Sequence, residues 1–354
     1  MFERRAPEQH DSLPDIPEPA ENPLLFGHEQ ARAMLAGAYQ AGKLHHALLL
    51  AGRQGTGKAT LAFHLAHHLF VHADHRVAPR EFGEIDPASQ AFRLAAQGAH
   101  PGLLHLSRPV VERDKKFKTV ITVDEIRRVS RFLALTPADG GYRIVIVDPA
   151  DDMNTSAANA LLKNLEEPPP RTVFILVAHS LGRLLPTIRS RCQVLRLEPL
   201  APDILEQLLV RLGAELPANL EEKNILIERA KGSARDAILL TQFGGLEIEQ
   251  VVGRILEQRR FDAAEAYRLA EATAGRERQV QFELFNRAVL DRLADSAAKA
   301  SAAGALPRAG ELAALWEELA EMTRQVEIFN LDRKQHVVGT MARLHQALRG
   351  PVLS

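Results

Sequence analysis

The sequence predicts an α/β domain built on a doubly wound parallel sheet, followed by a region that is entirely helical. Three observations carry this prediction. Short apolar runs alternate with amphipathic stretches between residues 24 and 198. One of these runs leads directly into a glycine-rich loop, as nucleotide-binding sheets require. After Pro199 the strand pattern ends, and apolar residues recur at helical spacing.

The composition allows two or three domains and excludes several classes of protein. With 354 residues, 46% of them hydrophobic, each domain can bury its own core. The 44 basic and 45 acidic residues give a net charge of −1, so no chain-wide positive field gathers nucleic acid or an anionic membrane. Cys192 is the single cysteine, which excludes a disulfide framework and zinc sites that need two thiolates from this chain.

The targeting signals and the domain boundaries follow from the same patterns. The start is acidic and proline-rich, and no run approaches the roughly 20 apolar residues that cross a bilayer. We therefore expect a soluble, cytoplasmic protein. Residues 1–22 hold too little apolar surface to offset the entropy of ordering, so they are predicted to be a flexible leader. The α/β domain is predicted at 23–198, a small helical domain at 199–245 and a helical bundle at 246–354.

The individual elements are predicted in chain order. Strands are expected at 46–50, 102–106, 120–123, 143–148, 174–178 and 194–197. Helices are expected at 29–41, 58–71, 123–135, 155–165, 203–212, 220–231, 234–242, 278–303 and 310–330. The stretch 72–97 is polar and irregular, and residues 137–141 interrupt the chain.

The segment from residue 52 to 60 reads Gly-Arg-Gln-Gly-Thr-Gly-Lys-Ala-Thr and lies between a predicted strand and a predicted helix. This is the context of a phosphate-binding loop, whose backbone N–H groups cradle phosphates while the lysine reaches their oxygens. The alternative without a function is a glycine turn that binds no ligand. The candidate nucleotide-site residues are Gly52, Gly55, Thr56, Gly57, Lys58, Thr60, Asp148 and Arg235.

Two positions argue against ATP hydrolysis in this loop. Ala59 stands where a Ser or Thr hydroxyl ligates Mg²⁺, and Thr60 is displaced by about 100° round the helix. Asp148 ends the expected metal-binding strand, but Pro149 occupies the place of the carboxylate that activates water. Asp151 and Asp152 are weaker candidates for that role. The alternatives left open are a site that binds ATP or ADP without hydrolysis, a site that needs no cofactor, and a live enzyme that tolerates both changes.

Three further motifs carry a family resemblance. They are the helix ending in Leu-Glu-Glu-Pro-Pro at 165–169, the apolar strand at 174–177, and the triplet Ser190-Arg191-Cys192. With the loop at 52–60, their spacing closely resembles that of bacterial clamp-loader subunits of the AAA+ family, from residue 24 to about residue 240. The resemblance implies an AAA+ P-loop domain, a helical lid domain and an all-α collar domain that joins subunits.

The resemblance also implies roles for individual residues. Arg191 would be an arginine finger reaching into a neighbouring subunit's nucleotide site, where a guanidinium stabilises charge on the γ-phosphoryl group. The alternative is an exposed arginine in a loop. Arg235 would be a lid residue facing this subunit's own nucleotide, or else a solvated side chain in a helix capped by Ser233. The position of a usual polar sensor falls near Ala178 and His179, a departure that again disfavours catalysis.

A metal site is not expected. Motor subunits of such loaders carry a four-cysteine zinc module after the P-loop helix, whereas residues 72–100 contain no cysteine. His64, His68 and His72 recur on one helical face, but no carboxylate or thiol lies among them, so a solvated or partly packed histidine face is the favoured interpretation.

The resemblance implies a stator subunit of the DNA polymerase III clamp loader, without its own activity, that loads a sliding clamp on primed DNA. Motor subunits and a clamp-opening subunit would be its partners in a ring. Any polymerase activity would belong to the holoenzyme. The alternative functions are an ATP-hydrolysing motor subunit of the same loader and an unrelated P-loop regulator.

Overall fold

The computed structural model describes residues 4–111, 116–134, 141–275 and 277–349. The chain forms two compact units, Met1–Asp236 and Ala237–Ser354. The finer division at residues 22, 198 and 245 stays a prediction.

The strands all lie in the first unit. They are β1 (Ala47–Ala51), β2 (Leu103–Leu106), β3 (Val110–Val111), β4 (Lys116–Phe117), β5 (Arg143–Val147), β6 (Thr172–Ala178) and β7 (Gln193–Arg196). The helices are α1 (Glu29–Gln40), α2 (Lys58–Val71), α3 (Gln90–Ala96), α4 (Val123–Ala134), α5 (Thr155–Glu166), α6 (Pro186–Arg189), α7 (Pro202–Arg211), α8 (Leu220–Ala230), α9 (Ala234–Gln242), α10 (Gly245–Glu257), α11 (Ala263–Thr273), α12 (Gln279–Ala302), α13 (Leu306–Phe329) and α14 (Arg333–Arg349).

The main sheet has the strand order β2-β5-β6-β1-β7, and every neighbouring pair is parallel. Ala51 of β1 pairs with Ala178 of β6, and Val147 of β5 pairs with Leu176 of β6. The carboxyl ends of these three strands therefore meet at one edge, which is where ligands bind in open α/β sheets.

Helices cover both faces of this sheet, which explains the continuous apolar runs of the central strands. Every residue of β1, β5 and β6 is buried. Leu48 and Leu50 share a core cluster with Leu61 of α2, whereas Leu49 points to the other face and shares a cluster with Leu161 of α5. Strands buried on two sides lose the alternation of polar and apolar residues.

The elements beside the glycine loop begin and end where their sequences predict. Helix α2 starts after Gly57, whose φ of 91° lies in the left-handed region that favours glycine. Helix α5 is capped by Asn154, the residue before its start, whose side chain accepts a hydrogen bond from the Ala157 N–H at 2.8 Å. It ends at Glu166, just before three consecutive prolines that cannot continue a helix.

Two predictions about local structure are wrong. Residues 120–123 do not form a strand, because Ile121 makes only an isolated bridge with Met153 and α4 begins directly after it. The irregular stretch at 72–97 contains helix α3, which Ser89 caps by accepting from the Phe92 N–H at 3.2 Å. Residue 135 of the predicted helix and residues 137–140 of the predicted interruption lie outside the described residues.

The structure also differs from the prediction of a flexible leader. Ala6 and Leu13 are buried in the first unit. Arg4 donates to the Leu13 carbonyl at 2.6 Å, and the Glu21 carboxylate accepts from the Ala6 N–H at 3.0 Å. Polar and ionic contacts supply the ordering that the apolar content alone does not predict, because hydrogen bonds to charged groups are among the stronger ones.

The second unit is helical throughout its described residues. Helices α12 and α13, each 24 residues long, pack against one another. The buried Phe282 and Phe285 lie on α12, and Asn286 of the same helix accepts from His336 Nε2 at 2.8 Å. The described strands and helices confirm the predicted fold class, a doubly wound parallel sheet followed by a helical region. Among the described helices, none is both long and apolar enough to cross a membrane.

Candidate nucleotide site

The loop between β1 and α2 is shaped by glycines that no other residue can replace without a shift. A Cβ on Gly52 would lie 2.4 Å from the Leu197 carbonyl oxygen. A Cβ on Gly55 would lie 2.3 Å from Ser233 Oγ, and Gly55 has a φ of 78°. The loop is thus pressed against β7's end on one side and the start of α9 on the other.

Lys58 and Thr56 both turn back onto the loop. Lys58 Nζ donates to the Arg53 carbonyl at 2.5 Å, and Thr56 Oγ1 donates to the same oxygen at 3.0 Å. Both side chains are buried. Burial lowers the pKa of Lys58 to about 8, although the negative charges of Asp148 and Asp151 oppose that shift. Lys58 is the first residue of α2, and its role in phosphate binding stays a prediction.

The metal-binding side of the site is incomplete. Ala59 offers only a methyl group, and Thr60 is buried one position further along α2. Asp148 directly follows β5 at the carboxyl edge of the sheet. Burial, together with neighbouring carboxylates, raises the pKa of Asp148 to about 7, while Lys58 lowers it.

The two acids that follow Pro149 are bound to other groups. Asp151 accepts from the N–H groups of His179 and Ser180 at 2.9 and 3.1 Å. Asp152 pairs with Arg108 at 2.6 Å. Both carboxylates are buried. Because each is held in a structural contact, neither is free to activate a water molecule in place of the missing carboxylate.

His179 lies at the position where the resemblance implies a polar sensor. Its backbone N–H donates to Asp151, and burial lowers the pKa of its imidazole to about 4. The ring is therefore neutral at physiological pH and brings no positive charge to the site.

The segment Gly232 to Asp236 is bonded to the glycine loop. The Ala234 N–H donates to the Gly55 carbonyl at 2.9 Å, and Arg53 forms an ion pair with Asp236 at 2.7 Å. Ser233 caps α9 by accepting from the Asp236 N–H at 3.1 Å. The capping interpretation is therefore right for Ser233, but Arg235 is not solvated, since only 13% of its side chain is exposed.

Sequence reasoning missed one participant, which comes from the leader. Asp11 Oδ2 accepts from Gln54 Nε2 of the glycine loop at 2.9 Å, and the Asp11 carbonyl accepts from Arg235 Nη1. Asp11 thus joins the loop and the start of α9. No motif surrounds Asp11 in the sequence, so no local pattern pointed to this contact.

Arg191 follows α6 and precedes β7. Its guanidinium forms an ion pair with Glu166 at 2.5 Å and donates to the Thr187 carbonyl at 3.0 Å. The side chain of Arg191 is 35% exposed and that of Glu166 is 48% exposed. Arg191 therefore lies on the surface, linked to the last residue of α5, and its hydrogen bonds do not go to the glycine loop of its own chain.

Removing the Glu166 contact should cost little stability. The change Glu166→Gln should lower the free energy of unfolding by less than about 1 kcal/mol, because exposed ion pairs contribute about 0.2–1 kcal/mol. Chemical denaturation of the wild type and the variant measures this difference. Glu167→Gln, the same change one residue along, is the control. A loss of several kcal/mol for Glu166→Gln alone would mean that the ion pair holds Arg191 firmly on its own chain, so that Arg191 could not leave Glu166 to reach another subunit.

The histidine face of α2 is packed. His64 is buried and donates from Nε2 to the Asn22 carbonyl at 2.9 Å. His68 is buried beside the ring of Tyr39. Burial lowers the pKa of both imidazoles. Within the described ranges, no group of three or more His, Cys, Asp or Glu side chains is arranged to hold a metal ion.

Part of the first unit is similar to subunits of DNA polymerase III. Residues 27–201, just under half of the chain, match the family model described as DNA polymerase III, delta subunit. DNA polymerase III subunit delta' of Pseudomonas aeruginosa is 42% identical over 147 residues, which cover 42% of this chain and 41% of that protein. The Escherichia coli protein of the same name is 33% identical over 208 residues, covering 59% of this chain and 58% of the relative.

Gamma-type subunits also match. DNA polymerase III subunit gamma/tau of Mycobacterium tuberculosis is 32% identical over 222 residues, covering 62% of this chain and 36% of that protein. A gamma subunit-related protein of Thermotoga maritima, of known structure, is 19% identical, with 89% of this chain and 98% of the other covered at a TM-score of 0.41.

The matches span less than two thirds of each of the curated relatives named above, and the solved structure is too distant to add to the assignment. The likeness therefore rests on the family model and on the delta' relatives. Over residues 27–201 the chain matches the DNA polymerase III delta subunit family model, and parts of the chain are similar to DNA polymerase III delta' subunits.

Proposed function

We propose that this chain is the stator subunit of a DNA polymerase III clamp loader. In this role it joins motor subunits of the gamma/tau type and a clamp-opening delta subunit in a hetero-oligomeric ring. The ring loads the sliding clamp onto primed DNA. One observation carries the proposal: the site keeps the phosphate-cradling loop, while Ala59 and Pro149 stand where hydrolysis needs a hydroxyl and a carboxylate.

The chemistry of hydrolysis supports a catalytically silent site. Phosphoryl transfer by a P-loop protein needs a hydroxyl and an ionised carboxylate around Mg²⁺, and a residue that orients the attacking water. Ala59 supplies no hydroxyl ligand, and Pro149 supplies no carboxylate to activate water. Asp151 and Asp152 are held by backbone N–H groups and by Arg108. We therefore expect slow or absent turnover in the isolated chain.

The same chain offers a group that a neighbouring site can use. Arg191 lies on the surface, and the single ion pair that holds it is partly exposed and weak. A guanidinium released from Glu166 can donate to the oxygens of a γ-phosphate bound by an adjacent subunit. This is the trans arginine finger of the proposal. It gives the subunit a catalytic contribution without an active site of its own.

The second candidate function is an ATP-hydrolysing motor subunit of the same loader. The gamma and gamma/tau matches favour it. ATP turnover by the purified chain distinguishes the two functions. The stator proposal expects no turnover alone, and turnover only after the motor and clamp-opening subunits are added. Robust turnover by the isolated chain would replace the stator with the motor.

The glycine loop should be dispensable for turnover by the assembled complex. Lys58→Ala in this chain should change the steady-state ATPase rate less than about twofold, because hydrolysis takes place in the motor subunits. The control is the same substitution at the P-loop lysine of a motor subunit, which should abolish turnover at that site. A large loss of ATPase rate with Lys58→Ala in a fully assembled complex would establish that this chain's own nucleotide site hydrolyses ATP.

A further inference from the structure

The leader is a loop that contacts the glycine loop through Asp11, near its middle. Within it, the Gln9 N–H donates to Ser12 Oγ at 2.7 Å, and Arg4 holds the Leu13 carbonyl. Leu13 is 5% exposed, so the loop is anchored by an apolar side chain as well as by hydrogen bonds. This anchor lies two residues beyond Asp11.

Asp11 contacts groups suited to holding a phosphate. The Asp11 carboxylate accepts a hydrogen bond from the Gln54 amide and lies 4.0 Å from Arg235 Nη1. The backbone carbonyl of Asp11 accepts a hydrogen bond from the same guanidinium. A carboxylate, like a phosphate, is an anion with acceptor oxygens only. Its side chain is 34% exposed, so it stands at the mouth of the site rather than in a closed core.

The pKa of Asp11 is consistent with an anionic carboxylate beside Gln54 and Arg235. Burial raises the pKa of Asp11, but the charges of His10 and Arg235 and the Gln54 hydrogen bond outweigh it, so the net pKa lies below its ordinary value. The carboxylate is thus ionised at physiological pH. Its negative charge also acts on Lys58, whose ammonium group it stabilises. One leader carboxylate therefore interacts with the cationic groups that a nucleotide phosphate would use.

We propose that the leader, residues 4–22, is an intramolecular competitor of nucleotide, with the Asp11 carboxylate in place of a phosphate between Gln54 and Arg235. The inference goes beyond the stator role, because it concerns binding to the isolated chain and not turnover in the complex. When the leader is docked in most molecules, the apparent affinity for nucleotide equals the intrinsic affinity multiplied by the fraction of molecules whose leader is undocked. The altered loop keeps the glycines and the lysine of a phosphate cradle, and the leader contacts this loop through Gln54.

The test is a titration of the full-length chain with a fluorescent (N-methylanthraniloyl) ADP analogue. Asp11→Ala should tighten binding by about tenfold, the change expected when one charged hydrogen bond that holds the leader is lost. Leu13→Ala, which removes the apolar anchor, should tighten binding in the same direction. Glu8→Ala is the matched control, because it removes a leader carboxylate that is 71% exposed, and it should leave the affinity unchanged.

Hydrogen exchange on the unmutated chain gives a second readout that needs no variant to fold. Saturating ADP analogue should speed exchange of the amides in residues 4–22, since nucleotide displaces the leader. Unchanged or slower exchange with nucleotide bound would overturn the proposal. So would equal effects of Asp11→Ala and Glu8→Ala, or no measurable binding by any variant. These results do not depend on Arg191, so the stator function can fail while this inference stands.

Discussion

Replacing Arg191 with alanine should lower ATP turnover at the adjacent motor site by a factor of about 10³ or more. An arginine finger stabilises the charge that spreads over the γ-phosphoryl oxygens in the transition state, and such fingers contribute roughly 10³ to 10⁵ in rate. The loss is confined to the one site that this chain contacts. Turnover by the whole complex should therefore fall to what its remaining motor sites supply. Steady-state ATPase assays with clamp and primed DNA measure it.

The structure supplies a matched control for this experiment. Arg189 lies two residues earlier, at the end of α6, and is partly exposed like Arg191. Arg189→Ala removes the same charge and nearly the same volume from the same loop, so it should leave turnover within about twofold of the wild type. Size-exclusion chromatography must show that both variants assemble. An unchanged rate for Arg191→Ala in an intact complex would exclude the finger and leave Arg191 as a surface residue paired with Glu166.

The central sheet was predictable because its residues obey a single constraint. The strands β1, β5 and β6 are buried on both faces, so their sequences are continuous apolar runs that no amphipathic helix would show. Helix α2 was predicted with its observed bounds, since Gly57 marks its start. The strand at 120–123 was wrong because β-branched residues also occur where a chain approaches a helix, and propensity alone does not separate the two cases.

The composition of the nucleotide site was only partly predictable. The glycine loop and Asp148 follow from a motif and a strand end, and the structure brings them together at the carboxyl edge of the sheet. The contacts of Arg53 with Asp236 and of Gln54 with Asp11 join residues 183 and 43 positions apart. Such contacts depend on tertiary packing, and no local pattern records them. The order of the leader was missed for the same reason, because it comes from long-range polar contacts rather than from composition.

Gly232→Ala should strongly destabilise the first unit, lowering its free energy of unfolding by about 3 kcal/mol. Gly232 has a φ of 74°, and a Cβ there would lie 2.5 Å from Pro199 Cβ and 2.7 Å from the backbone nitrogen and oxygen of Leu200. A left-handed conformation costs an L-residue about 1–2 kcal/mol. The clash adds to that cost, because backbone atoms cannot move aside as a flexible side chain does.

Gly213→Ala separates these two contributions. Gly213 has a φ of 68°, but a Cβ there meets nothing within 4 Å. It should therefore lose only the conformational part, about 1 kcal/mol. Chemical denaturation of the first unit's transition measures both variants. Equal losses at the two positions would mean that the chain around Pro199 yields to the added methyl group. In that case the contact of Gly232 with Pro199 and Leu200 would not be what fixes the position of Arg235 relative to the glycine loop.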